Sequence, residues 1–241
     1  MMRIKKFTLG IRPSQKMFRV SSLHGSLVDS VLGLRGTKPI GDEYYSEISR
    51  SAEPMTIQLR SEEQGNTLTV DLDNIVFSKD LYNSEKRFDI DEVLDEFRAV
   101  WKQVNEVLHV KDIRRIGVVI EHQLAVKENP SAALLKKLTS ITAGEHAAKF
   151  MLHFEERYRT SKGGIPDFKK DDFINVIRDY YDSERDADHP TDGHINANLD
   201  VQRYYSPLLT GNVFDEIVLF RQQLSKEQAR FEQDLKQRGL L

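Results

Sequence analysis

The sequence predicts an α+β fold: two lobes of mainly antiparallel sheet, each with amphipathic helices packed on one face. Three observations carry this reading. Apolar and polar residues alternate through several short runs, the two-residue period of a half-buried strand. Elsewhere apolar residues recur every three or four positions, the period of an amphipathic helix. Two of the alternating runs are joined by a tight turn, which makes their pairing antiparallel.

The elements follow in order. Ile4 to Ile11 reads as a strand and Met17 to Val20 as a second, short one. Leu23, Leu27, Val31 and Leu34 then fall on one helical stripe, and Gly36, Pro39 and Gly41 mark a loop. Met55, Ile57 and Leu59 alternate, Gln64-Gly65-Asn66 supplies turn chemistry, and Leu68, Val70 and Leu72 alternate again. Ile75 to Phe77 is expected to extend or bend that second strand.

From Asp89 the period changes. Ile90, Val93, Leu94, Phe97, Val100, Trp101, Val104, Val107 and Leu108 make a broad helical stripe, with Asp89 or Asp91 placed to cap its start. Trp101 is expected to anchor a core, because its neighbours on the stripe are aliphatic. Ile116, Val118, Ile120, His122, Leu124 and Val126 form a long strand whose apolar face includes His122, expected as a hydrogen-bonded core histidine.

Pro130 opens a short helix, Ser131 to Leu138. Phe150 to Tyr158 alternates as a strand that Gly163-Gly164 ends. Phe173 to Tyr181 fits either period, and its β-branched and aromatic content favours a strand. Ile195 to Tyr205 alternates cleanly, with Asn196, Asn198, Asp200, Gln202 and Tyr204 on the opposite parity. A final amphipathic series from Phe214 to Leu235 is expected to break after Leu224, where Ser225 and Gln228 resemble a capping box, and to end at Gly239. The domains are read as an N-terminal lobe over 1–128, a helical linker over 129–147 and a C-terminal lobe over 148–241.

Composition narrows the function classes. With 39% hydrophobic and 30% charged residues, the chain has the make-up of a folded globular protein. A net charge of -3 supplies no global field for nucleic acid or an anionic membrane. The absence of cysteine removes disulfides, thiolate nucleophiles and cysteine-ligated metal centres. No apolar run suits a signal peptide or approaches the roughly 18 residues of a membrane span. A cytoplasmic protein with no membrane association is expected.

The densest set of candidate ligands is YYDSERDADHPTDGHI, from Tyr180 to Ile195. Asp186, Asp188, His189, Asp192 and His194 could hold a metal. However, a calcium loop counted from Asp188 has Pro190 at the third position and Leu199 at the twelfth. Pro190 and Gly193 also separate the two histidines, unlike the helical pair of a zinc hydrolase. A solvated loop is the simpler expectation, and no cofactor is assigned. His24-Gly25-Ser26 lacks a nucleophile elbow, and a helix N-cap explains Ser26. Asp71 and Asp73 read as the solvated face of a strand, and Arg114-Arg115 and Lys136-Lys137 as surface charge.

IRRIGVVIEHQLAV, preceded by the Trp101 helix, is similar to the Arg-Ile-Gly-containing strand of a sporadically distributed, uncharacterised family of bacterial proteins. HINANLDVQRYYSPL, followed by FDEIVLFRQQLSKEQARFEQDL, resembles that family's closing Asp-containing strand and final helical segment. The resemblance spans most of the chain, although Ile120 and His122 stand where the family has an aromatic residue and an Asn. It implies no established activity; the scattered distribution implies a role in defence or conflict systems. The expectation is a non-catalytic protein-binding or accessory component, antitoxin-like, with a protein partner. The alternatives left open are a metal-dependent hydrolase built on the Asp186–His194 loop and a nucleic-acid binder. A homodimer is also left open.

Overall fold

A single row of paired residues crosses the whole molecule: Ile48, Leu59, Leu68, Phe77, Leu9, Val118, Val201, Val176 and Glu156, each opposite the next on neighbouring strands. The computed structural model describes residues 2–42, 44–52, 55–61, 63–81, 88–142, 146–160, 164–182 and 194–241. Its strands are β1 (Met2–Pro13), β2 (Glu47–Ala52), β3 (Met55–Ser61), β4 (Asn66–Asp71), β5 (Ile75–Asp80), β6 (Ile113–Ala125), β7 (Met151–Arg159), β8 (Phe173–Asp182) and β9 (His194–Leu209). They form one antiparallel sheet of nine strands in the order β2-β3-β4-β5-β1-β6-β9-β8-β7.

Side chains alternate across a strand, so residues of one parity share a face. The apolar parity of β1, β3, β4, β6 and β9 is buried in one core. All four helices lie on that side: α1 (Arg19–Leu32), α2 (Ile90–Leu108), α3 (Pro130–Leu138) and α4 (Val213–Gln237). One contact from each shows it. His24 of α1 bonds Arg50 at 2.8 Å, Phe97 of α2 packs on Phe77 with ring centres 5.8 Å apart, Ser131 of α3 donates to Asp182, and Phe231 of α4 packs on Tyr180 at 5.9 Å. The α+β class is therefore observed, with the described helices on one face and none of them on the other.

The connectivity repeats. The first half runs strand, helix, four strands, helix; the second runs strand, helix, three strands, helix. Read outward from the centre, the orders are β1-β5-β4-β3-β2 and β6-β9-β8-β7. In each half the first strand sits innermost, the last strand beside it, and the others follow in reverse. The two innermost strands pair antiparallel, so the sheet is continuous.

Several local expectations hold. Asp89 caps α2, its carboxylate accepting from the Asp91 N–H at 2.8 Å, with Asp91 and Glu92 favourably placed in the first turn. Trp101 is buried and stacks on Phe97 at 6.2 Å. Phe173–Asp182 is a strand, as its β-branched content favours.

Others are corrected. Met17 to Val20 is no strand: α1 begins at Arg19, because the Val20 N–H turns back onto the Met17 carbonyl and Val20 joins Leu27 and Val31 on the buried stripe. Ser26 is therefore inside α1 rather than at its cap. Asp73 lies beyond β4 in a turn, where the Asp71 carboxylate accepts from the N–H groups of Asp73 and Asn74, both at 2.7 Å. That turn makes Ile75–Asp80 a strand of its own. The final helix does not break at Leu224; the Ser225 hydroxyl donates to the Arg221 carbonyl within an unbroken α4.

α4 is tied down by polar as well as apolar contacts. Arg178, 5% exposed, pairs with Glu156 and lies 3.6 Å from the Glu227 carboxylate. Glu227 also accepts from Tyr158 at 2.6 Å and from Gln223 at 2.9 Å. His122 is fully buried against Phe231, and its Nδ1 lies 3.2 Å from the Ala197 carbonyl, so it is the core histidine expected. Burial pushes its pKa down to about 4, against the smaller opposing effect of backbone hydrogen bonds.

Two outcomes follow. His122 stays neutral in the fold while the unfolded chain takes up a proton near its ordinary pKa. Its contribution is therefore complete above about pH 6.5 and falls by up to about 3 kcal/mol as pH drops to 4. Urea unfolding across that range should show this, and His122→Leu should lose it. Among the glycines, Gly65 has φ +69° and an added Cβ would sit 2.2 Å from the Asp80 carbonyl oxygen, whereas a Cβ on Gly10 would meet nothing within 4 Å. Gly65→Ala should cost at least about 1–3 kcal/mol, and Gly10→Ala should gain about 0.5–1 kcal/mol, both read from urea midpoints.

Candidate functional site

The open face of the sheet is built from the polar parity of every strand. One row reads Ser49, Gln58, Thr69, Val76, Gly10, Gly117, Gln202, Asn175, Arg157; the next reads Glu47, Arg60, Thr67, Ser78, Thr8, Val119, Asp200, Ile177, Glu155. The same alternation that buries one side of each strand sets these groups facing away from the helices.

In the second half the face divides into two fields. At one end Arg12 stands opposite Arg115, Arg115 opposite Tyr204, Tyr204 opposite Phe173, and Phe173 opposite Arg159. The Phe173 and Tyr204 rings stack at 4.6 Å, Phe168 packs on Phe173 at 5.3 Å, and the Arg157 guanidinium covers Phe168 at 4.6 Å. Arg115 lies 5.7 Å from the Tyr204 ring and donates to the Gln202 carbonyl oxygen and the Tyr204 hydroxyl. The result is a platform of three rings with a guanidinium at each end.

Further along the same strands the field turns acidic. Asp200 on β9, Asp179 on β8 and Glu155 on β7 project from adjacent strands. Burial pushes the Asp200 pKa up to about 6; Gln202 and Arg115 oppose this, and the charges of Asp179 and Glu155 add to it. One Asp200 oxygen accepts from Gln202 at 2.6 Å, and the other has no hydrogen-bond partner among the described residues. His153 Nδ1 lies 2.6 Å from Asp179; this hydrogen bond raises the histidine's pKa. Burial raises the Glu155 carboxyl, but Arg157, with smaller help from Asn175 and His153, outweighs it and leaves the group below the ordinary range.

Of the loop residues singled out in the sequence, Asp186, Asp188, His189 and Asp192 lie outside the described residues. His194 is the first residue of β9, opposite Ala125 of β6. Among the described residues, no group of three or more histidine and acidic side chains could hold a metal ion. No described helix is long and apolar enough to cross a membrane. Sequence reasoning placed Asp200, Gln202 and Tyr204 on one parity but did not join them to Asp179, Glu155 and His153. Only strand register does that.

A groove of about 720 Å³ runs along α2 beside Lys38, Pro39, Asn212 and Phe214. Trp101 lines it, and Arg98 lies 4.6 Å from the Phe214 ring. Its charges are mixed, with Lys38, Arg98 and Lys102 facing Asp95 and Glu106.

The chain matches no protein-family model, and no curated protein is significantly similar to it.

Asp200 supplies a test of the acidic field. Its raised pKa means the folded state holds a proton that the unfolded state releases. Stability from this group is complete below about pH 4 and is lost as pH rises through 6. Asp200→Asn should therefore raise stability at pH 7 by up to about 3 kcal/mol and flatten that part of the urea–pH profile. The sign is opposite to that of His122 over nearly the same range, so the two variants separate contributions that offset each other in the parent protein.

Proposed function

We propose that this chain is a non-catalytic binding component that engages a protein partner through the open face of its sheet. The observation that carries the reading is the uncovered polar face itself. It spans nine strands, bears aromatic and charged side chains, and has no described helix packed upon it. The face carries both signs: Lys6, Arg60, Glu47, Asp80 and Glu121 alternate over its first half and centre, and in its second half the cationic end (Arg12, Arg115, Arg157, Arg159) adjoins the acidic field of Glu155, Asp179 and Asp200. Such a pattern suits a protein surface of mixed charge better than a phosphodiester backbone, whose affinity depends on clustered cations.

We read the repeated connectivity as two lobes sharing one sheet, which gives the face its breadth. A defence or toxin–antitoxin setting, implied by the family resemblance, would supply a partner of this kind.

The test uses the full chain immobilised against lysate of its source. A specific partner should cross-link to Lys6, which projects from the open face, and should be released by Val119→Arg, a variant expected to unfold at the parent temperature. A partner that cross-links only to Lys102, Lys226 or Lys236 of the helices, or that Val119→Arg retains at full strength, overturns the reading.

A further inference from the structure

We infer that the centre of the open face holds a docking notch for an acidic side chain of an extended partner segment, formed by Gly10 and Gly117 and walled by Arg12 and Arg115. This deepens the protein-binding reading above and rests on it.

Gly10 and Gly117 are directly opposed on the two innermost strands. Every other position in their row carries a side chain, so the backbone is bare only there. Neither glycine has the positive φ that only glycine adopts easily; a Cβ on Gly10 would meet nothing within 4 Å, whereas one on Gly117 would sit 3.3 Å from the Gln202 side chain, which borders the notch on that side. Backbone geometry therefore does not demand glycine at Gly10. A glycine inside a strand costs stability, and where no bulge or bend calls for it, close approach of another chain or ligand is one reason to find it there.

Two residues along from this pair stand Arg12 and Arg115, also directly opposed. Like charges facing each other across a strand pair repel. Arg12 is exposed, and Arg115 is held by Gln202 and Tyr204; neither has a carboxylate at ion-pair distance among the described residues. A carboxylate seated between them would relieve the repulsion and accept charge-assisted hydrogen bonds from both.

The second field sets the rest of the ligand. Measured from the Arg12–Arg115 row, where the carboxylate sits, Asp200 is four residues along β9 from Tyr204, which stands opposite Arg115; that is about 13 Å in an extended chain. Asp179 and Glu155 flank it. A segment with an acidic residue in the notch and a basic residue four positions away meets both fields with opposite charge. A continuous run of phosphates would set negative charge over the three carboxylates, which favours the peptide over a nucleic acid.

The test is amide NMR of the full chain with the peptide Ser-Glu-Ser-Thr-Ser-Lys-Ser at millimolar concentration. The amides of Gly10, Arg12, Arg115, Gly117 and Asp200 should shift together. Arg12→Gln, Arg115→Gln and Gly10→Leu should each weaken binding by about tenfold, with the unfolding temperature not lowered for Gly10→Leu. A control peptide with Lys in place of Glu should not shift the Gly10 and Gly117 amides. The inference is overturned if those amides stay put, if the three variants bind as the parent does, or if an oligothymidylate displaces the peptide from them. Should a partner cross-link to Lys6 while these variants bind it unchanged, the notch alone fails; should none reach the open face, the broader reading fails with it.

Discussion

The structure depends on the pairing of β1 with β6. Each of these strands is the innermost of its half, and their eleven matched positions carry the register from one side of the sheet to the other. A slip of one residue there would turn the apolar parity of one half toward solvent and its polar parity toward the helices. Burial on one side thus fixes the register, and the register fixes which groups meet on the other side. The make-up of the open face is a consequence of how the core is packed.

The two faces divide the chemistry. Beneath the helices, some polar groups engage one another: Arg178 with Glu156 and Glu227, Tyr158 with Glu227, Ser131 with Asp182. Removing one partner of such a buried ion pair leaves an uncompensated charge, so these contacts fix where α3 and α4 sit more than they add to net stability. On the open face, Arg12 stands in register with Arg115, and the Asp200 carboxyl is held partly desolvated. Arrangements of that sort weaken a fold and are common where a protein binds something.

Much of the fold was legible because one-sided burial writes a period into the sequence. The α2 stripe, the Asp89 cap, the β9 alternation and the strand at Phe173–Asp182 all follow from local pattern. The misreadings share a cause. β2 has no buried residue, so it carries no periodic signal, and α1 begins earlier than its stripe suggests because a turn at Met17 starts it. Ser225 has the composition of a cap but spends its hydroxyl on the preceding turn. The repeated connectivity left no repeated residues to find. For the site, parity on β9 was readable, but its partners come from β7, β8, β6 and β1, and no local pattern specifies which strands will be neighbours.

Chain order has a last consequence. Both central strands are the earliest-made of their halves, so an intermediate in which only the first half has folded leaves one long side of β1 with its N–H and C=O groups unmatched. That edge is mid-sheet in the finished protein, where pairing with β6 covers it. Until β6 has emerged, the same backbone groups are open to any other unfinished copy nearby. Crowded synthesis should therefore favour interlinked chains over monomers, a hazard set by topology and not by the stability of the completed fold.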